Sequence, residues 1–291
     1  MHIDYNDPVV WLEHRYPCDE AARNPNIEKK FLEYFNKRDR LSIMDAGAGT
    51  GSNFRYYFSK LPEQQEWILL EQDATLLQAC RERLYRFAEE NQYQLEQKDD
   101  EIMIRSDRKQ AHLRFVQDKL ENVKSLTNME QLDVITANAL FDLVSYEQFD
   151  AFAAQIACYQ VCLMASLNYY ETSFLPFSSE DGRFIQYFHM HMMRPQDFGE
   201  AMGPNCTEEM LDLLAAHEMK CEQEGSQWHL KRYDTTIQHY ILHFMEHAIR
   251  DLNLSEKEVS EMESWLEGKH QLSREHQLEI IVDHSDIFAY P

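Results

Sequence analysis

The chain has 291 residues, 44% of them apolar, enough to bury a full core as one large domain or as a domain with a cap. Its formal charge of −23 argues against a polyanionic partner: nucleic-acid binders neutralise phosphates with clustered Lys and Arg, and no such cluster is present. No apolar stretch approaches the roughly 18 residues of a membrane span, Asp4, Asp7 and Pro8 stand where a signal peptide would be basic and then apolar, and the six cysteines form no C-x-x-C pair, so a reduced, cytoplasmic, soluble chain is expected.

The first segment, Trp11-Leu12-Glu13-His14-Arg15-Tyr16-Pro17-Cys18-Asp19-Glu20-Ala21-Ala22-Arg23, interleaves charges with aromatics, and Pro17 breaks its pattern. It reads either as a cover over a cleft or as a surface helix salt-bridged through Asp19 and Arg23. A helix from Ile27 to Arg38 leads to a short buried strand, Leu41–Met44. Then comes Met44-Asp45-Ala46-Gly47-Ala48-Gly49-Thr50-Gly51-Ser52-Asn53, and Phe54-Arg55-Tyr56-Tyr57-Phe58 continues into a helical pattern. Glycines at alternate positions between strand and helix let the backbone turn tightly and approach a ligand that a Cβ would obstruct. The helix start adds free N–H groups and the positive end of its dipole. The spacing Gly47-x-Gly49-x-Gly51 differs from the G-x-G-x-x-G of dinucleotide folds, which disfavours a nucleotide-dependent oxidoreductase. Alone, the loop could equally be a tight turn with no ligand.

It is not alone. Trp67–Glu71 is a second buried strand ending in a carboxylate that can accept both hydroxyls of a ribose, and Asp73 is placed to cap the next helix. Tyr93–Glu96 and Glu101–Arg105 read as a hairpin turning through Lys98-Asp99-Asp100. Leu113–Asp118 forms a third strand and Leu132–Asn138 a fourth, followed by a helix over 147–157 and a fifth strand, Val161–Ser166. This alternation from 41 to 166 implies a parallel sheet with its ligand at the carboxyl ends of the strands.

The D-x-G-x-G-x-G pattern, with Asp45 ahead of Gly47, Gly49 and Gly51, resembles motif I of the class I methyltransferases that use S-adenosylmethionine (SAM). Glu71-Gln72-Asp73-Ala74-Thr75-Leu76-Leu77 resembles the acid-then-helix pattern that follows in that family, and Leu132–Asn138 with Ala139–Val144 looks like motif IV. The resemblance implies an α/β, Rossmann-like sheet, mostly parallel with its last strand antiparallel, flanked by helices. It implies that the loop through Asn53 packs on the methionine part of SAM, with Asp45 near the ammonium and Glu71 on the ribose. Asp118 would meet the adenine amino group, with Gln117 the alternative, and Asn138 would lie under the transferred methyl. If the first segment covers the cleft, Arg15 could pair with the SAM carboxylate. That segment and Val282-Asp283-His284-Ser285-Asp286 also look similar to a group of bacterial methyltransferase-like proteins, which strengthens the fold without naming a substrate.

After residue 166 the pattern is less regular. Residues 167–206 contain Pro176, Gly182, Pro195, Gly199, Gly203 and Pro204, which punctuate a lid on the acceptor side. Within it, Arg183–Met193 is aromatic- and Met-rich, fitting an acceptor pocket or plain core. His189 and His191 are candidates for taking the acceptor proton, since histidine titrates near neutrality. They would point about 200° apart on a helix, so only one can face the cleft. Residues 207–291 hold a helix from Thr207 to about Met219, strand-like runs at Lys220–Glu224 and Gln227–Leu230, and a late strand at Gln277–Val282. Helical patterns at Thr235–Asp251 and Glu256–Lys269 form an insertion over about 235–270, read as a substrate-side cap or a homodimer contact.

His243-Phe244-Met245-Glu246-His247 matches the H-x-x-E-H of inverted zinc proteases. Only three positions are fixed, no third ligand is identifiable, and a chain with 13 His produces the match by chance, so no metal is expected. No G-x-S-x-G occurs and no cysteine has a catalytic context. The sequence is read as a single domain with residues 1–40 as a helical cover and 41–166 as the SAM-binding core. It is expected to transfer a methyl group from SAM to O or N of a small molecule, or else to be a SAM- or nucleoside-binding subunit without transferase activity.

Overall fold

The computed structural model describes residues 4–196 and 199–291; positions 197 and 198 of the expected lid, and 1–3 of the expected cover, lie outside them. Helix α1 (Pro8–Ala22) starts at Asp7, whose carboxylate accepts the Val9 and Val10 N–H groups. It does not break at Pro17. Proline there forfeits one backbone bond, but Trp11 packs on Trp228 and Tyr240 and Arg15 grips Asp19, so tertiary contacts outweigh local propensity. Helix α2 (Pro25–Phe35) begins at Asn24, whose side chain accepts the Asn26 and Ile27 N–H groups.

The sheet core follows as β1 (Arg40–Ala46), α3 (Ser52–Tyr57), β2 (Gln64–Glu71) and α4 (Ala74–Glu90). Asp73 caps α4 as its position predicted, accepting the Thr75 and Leu76 N–H groups. Strands β3 (Gln94–Lys98) and β4 (Glu101–Arg105) form the predicted hairpin and extend the sheet antiparallel onto β5 (Gln110–Gln117). Then come α5 (Val123–Leu126), β6 (Val134–Asn138), α6 (Tyr146–Cys158) and β7 (Cys162–Leu175). The remainder is α7 (Asp181–Met192), the small hairpin β8 (Pro195–Gln196) and β9 (Gly199–Glu200), α8 (Cys206–Ala216), β10 (Lys220–Leu230), α9 (Thr235–Arg250), α10 (Glu256–Arg274) and β11 (Glu279–Tyr290).

The nine strands of the main sheet run β10-β11-β7-β6-β1-β2-β5-β4-β3. The five central strands are parallel, and β11 is antiparallel to both β7 and β10. Helices cover both faces, giving a mostly parallel α/β sheet. One core cluster gathers α6, α8 and one face of the sheet around Phe141, Phe149 and Met210. A second gathers α2, α3 and α4 on the other face around Phe31, Phe54 and Trp67.

Three strands are longer than the sequence implies. Strand β7 does not end at Ser166 but continues to Leu175, so the chain stays in the sheet where the lid was expected to leave it. Leu167 adopts φ +55°, and the register against β11 shifts between Ser285 and Ile287. Asn168 spans the irregularity by donating to the carbonyl oxygens of Ala165 and Ser285. The bulge displaces the side-chain alternation, which is why periodicity stopped there. Strand β10 is continuous through Gly225 because β11 pairs with it over its whole length. Strand β11 runs past Val282 to Tyr290, and its polar Asp286 is fully buried, accepting the Leu167 and Asn24 N–H groups and the Ser226 hydroxyl.

The inserted helices α9 and α10 form the predicted pair. They build a third core cluster with Tyr169, Phe184, Trp228 and Trp265. Lys269 on α10 and Asp181 at the start of α7 make a buried ion pair at 2.7 Å, to which Trp265 Nε1 also donates. The insertion is therefore locked to α7. No helix among the described residues is long and apolar enough to cross a membrane.

Candidate functional site

A cavity of about 610 Å³ opens at the carboxyl ends of the parallel strands, within the size range of small-molecule sites. Gly47, Ala48, Gly49, Thr50 and Ser52 form one wall, and Leu70, Glu71 and Gln72 the floor beside it. Asp118, Lys119 and Leu120 follow β5, and Asn138, Ala139 and Leu140 follow β6. Helix α1 lies over the mouth with Leu12, Arg15 and Asp19, while α6 supplies Gln148, Phe152 and Gln155.

The loop geometry explains the glycines. Gly47, Gly49 and Gly51 have φ of +66°, +53° and +79°, a region that disfavours side chains. A Cβ on Gly47 would meet Leu140, and one on Gly49 would meet Leu12 at 3.0 Å, both cavity-lining side chains. Gly51 instead faces the core, where a Cβ would sit 3.0 Å from Cys80 Sγ.

Glu71 ties the second strand to this loop. One oxygen accepts the Gly49 N–H at 3.0 Å and the other the Asp73 N–H at 3.0 Å, while the carboxylate still lines the cavity. Asp118 accepts from its neighbour's N–H and from Asn122 Nδ2, and the Asn122 amide and Lys119 N–H hold its carboxyl below the usual range. Asn138 donates to Asp19 at 3.1 Å, and its buried Oδ1 has no hydrogen-bond partner among the described residues. Asp19, only 2% exposed, is also gripped by Arg15 through Nε and Nη2. Arg15, Asp19 and Asn138 thus form one chain along the cavity wall.

This arrangement of central strands with an antiparallel β11 has solved counterparts. The chain superimposes on the YcgJ protein of Bacillus subtilis with a TM-score of 0.52, 13% identity, and coverage of 92% of this chain and 98% of that one. It superimposes on a candidate methyltransferase of Bacillus halodurans with a TM-score of 0.52, 10% identity, and coverage of 90% and 97%. The fold is that of the class I methyltransferases. No family model and no curated protein sequence matches this chain.

Within the methyltransferase fold, the expected residues fall into two groups. Arg15, Gly47, Gly49, Glu71, Asp118 and Asn138 come together on the cavity wall. Asp45, Gly51, Asn53 and Gln117 are not among the residues that line it. Asp45 lies under the loop, 1% exposed, accepting from Asn53 Nδ2 at 2.7 Å and Thr136 Oγ1 at 2.8 Å. Burial pushes its pKa up to about 6 against these bonds. Asn53 passes the network on, accepting from Arg23 at 2.6 Å. Gln117 points outward and donates to the Gln72 carbonyl oxygen.

The ion pair expected between Asp19 and Arg23 is replaced. Asp19 pairs with Arg15, while Arg23 turns inward to Asn53, Ser166 and Tyr57. Asp19 as a cavity residue escaped the sequence, although its i, i+4 spacing from Arg15 was a signal.

Neither His189 nor His191 lines the cavity. His189 Nε2 is 2.9 Å from the Tyr169 hydroxyl and 3.5 Å from Glu171, with burial lowering its pKa. His191 faces Asp251 on the outer side, and burial and Arg194 lower its pKa. His243 and His247 meet edge to face with ring centres 4.3 Å apart, and no group of metal-binding side chains occurs among the described residues.

Proposed function

We propose that this chain is a SAM-dependent methyltransferase that methylates O or N of a small molecule. The observation that supports it best is the Gly49–Glu71 contact at the floor of the cavity, which joins the glycine loop to the strand-end carboxylate in a methyltransferase fold. The residues present fit the cofactor. Gly47 and Gly49 keep their Cβ positions clear, Glu71 offers carboxylate lone pairs for ribose hydroxyls, and Asp118 offers an acceptor for an adenine amino group. Leu70, Leu120 and Leu140 supply apolar walls for a base. Arg15 and Asp19 present opposite charges at the loop end, suited to an amino acid's carboxylate and ammonium. Asp19 takes the role first expected of Asp45, which acts beneath the loop by holding Asn53 and Thr136.

SAM supplies an electrophilic methyl group, so the protein's part is alignment and exclusion of water. Helix α1 closes the mouth, and Asn138 at the end of β6, fixed by Asp19, orients what lies above it. Where the acceptor must lose a proton, His189 is the better placed of the two histidines: the Tyr169 hydroxyl links it toward the sheet and Glu171 toward solvent. A cytoplasmic location belongs to the same proposal, as does an acceptor that is not a nucleic acid, which the charge of −23 supports.

Calorimetric titration with SAM, followed by transfer of labelled methyl from SAM into a metabolite extract, tests this. Micromolar SAM binding with labelled small-molecule product supports an enzyme. Binding with no transfer in any extract would favour a cofactor-binding subunit, and no binding would remove the proposal.

A further inference from the structure

Helix α1 is fastened to the glycine loop by Glu13, which is not among the residues that line the cavity. One Glu13 oxygen accepts from the Thr50 hydroxyl and from Arg55 Nη2, each at 2.7 Å. The other accepts from Arg83 Nε at 2.8 Å and from Arg55 Nη1 at 3.4 Å. One carboxylate thus gathers the loop, α3 and α4 onto α1. The Arg55 side chain is 1% exposed, and its guanidinium carbon lies 4.0 Å from the centre of the Tyr16 ring, also on α1. A cation buried to that degree needs a carboxylate in contact, so α1 cannot lift from α3 without stranding a charge.

The contact bears on the cavity through the periodicity of the helix. Leu12, Arg15 and Asp19 fall on one stripe of α1 and line the cavity. Glu13, Tyr16 and Glu20 fall on the next, about 100° around the helix, where the Tyr16 hydroxyl donates to Glu20 at 2.7 Å. The two stripes move together, so what holds Glu13 also holds Arg15 and Asp19. The loop is held from both sides as well. Gly49 donates its N–H to Glu71 of β2, and the next residue, Thr50, donates its hydroxyl to Glu13 of α1. Thr50 is 2% exposed and lines the cavity.

We propose that Glu13 is a positioning residue for the amino-acid end of the cofactor. By clamping α1 to the glycine loop it sets the distance between that loop and the Arg15–Asp19 pair, whose charges suit a carboxylate and an ammonium. The residues offered to the ribose and the base, Glu71 and Asp118, are held by bonds that do not involve Glu13. The inference rests on the methyltransferase reading and assigns the grip on one end of its cofactor to a residue outside the cavity.

The full chain and its Glu13→Gln and Thr50→Val variants are titrated calorimetrically with S-adenosylhomocysteine and with 5′-methylthioadenosine. The second ligand keeps the base, the ribose and the thioether and lacks the amino and carboxyl groups. Wild type should bind S-adenosylhomocysteine more tightly than 5′-methylthioadenosine. Glu13→Gln should weaken the first about tenfold, the size expected of one hydrogen bond to a charged group, and the second less than about twofold. A role in fold stability alone moves both ligands alike, so the difference between them isolates positioning. Thr50→Val removes one bond to Glu13 and leaves its ion pair with Arg55. It should show the same selective loss even where Glu13→Gln is too unstable to titrate. Equal losses for the two ligands, or unchanged S-adenosylhomocysteine affinity in the variants, would overturn the clamp alone. Wild-type protein that binds neither ligand would overturn the methyltransferase reading, and the clamp with it.

Discussion

The Glu71 carboxylate accepts the Gly49 N–H at 3.0 Å across the floor of the cavity. One side chain thereby sets the shape of the glycine loop and offers its remaining lone pairs to whatever the loop encloses. A further bond from the Asp73 N–H fixes the same carboxylate to the start of α4.

Glu71→Ala should weaken SAM by about 1.5–3 kcal/mol, the worth of hydrogen bonds to a charged group. Because it also strands two backbone N–H groups, the thermal midpoint should fall as well. An analogue lacking both ribose hydroxyls should lose less affinity than SAM in a paired titration. Equal losses for the two ligands would show that Glu71 serves the loop alone.

Two glycines of the loop should answer differently. Gly49→Val places its side chain against Leu12 at the cavity wall and should abolish SAM binding while the chain stays folded. Gly51→Val pushes on Cys80 and Leu84 in the core and should cost stability by overpacking, about 1–3 kcal/mol beyond the backbone strain both share. Titration and thermal melting of the pair separate the roles, and unchanged SAM affinity in Gly49→Val would remove the basis of the cofactor assignment.

The two histidines of α7 should also differ. His189→Ala should cut turnover strongly and His191→Ala mildly under saturating SAM, with SAM binding intact in both, since only His189 meets Tyr169. Tyr169→Phe should reproduce part of the His189 loss. If neither histidine variant loses turnover, the helix carrying them is core and the proton leaves another way.

Asp142, after the fourth parallel strand end, is buried, and burial raises its pKa from 3.8 to about 6. The folded chain therefore holds more protons than the unfolded one between about pH 4 and pH 6, and stability falls as pH rises through that window. Asp142→Asn removes the charge without changing shape. It should leave stability near pH 4 unaltered and raise it at pH 7, by up to about 3 kcal/mol. Denaturant titrations at both pH values check this, and an equal change at both would mean the carboxylate stays ionised throughout.

The sequence by itself determined the parallel core and its order of strand ends. Glycines at 47, 49 and 51, the carboxylate of Glu71, Asp73 as a cap and the apolar runs are local signals, each fixed by the conformational limits of a few adjacent residues. Where pairing partners lie far apart in the chain, the sequence fell short. Strands β7 and β11 continue past Ser166 and Val282 because each supplies the other's backbone bonds, with a bulge that shifts the side-chain alternation. Pro17 stays helical because packing of α1 on β10 and α9 outweighs a lost bond. The division of the expected ligands was likewise tertiary. Asp45 and Glu71 both lie at the carboxyl ends of their strands, yet Asp45 is buried beneath the loop by Asn53 and Thr136, while Glu71 faces the cavity, and Asp19 joins it only because α1 folds over the strand ends. Which carboxylate meets a ligand depends on what packs above each strand end, and those residues come from distant parts of the chain.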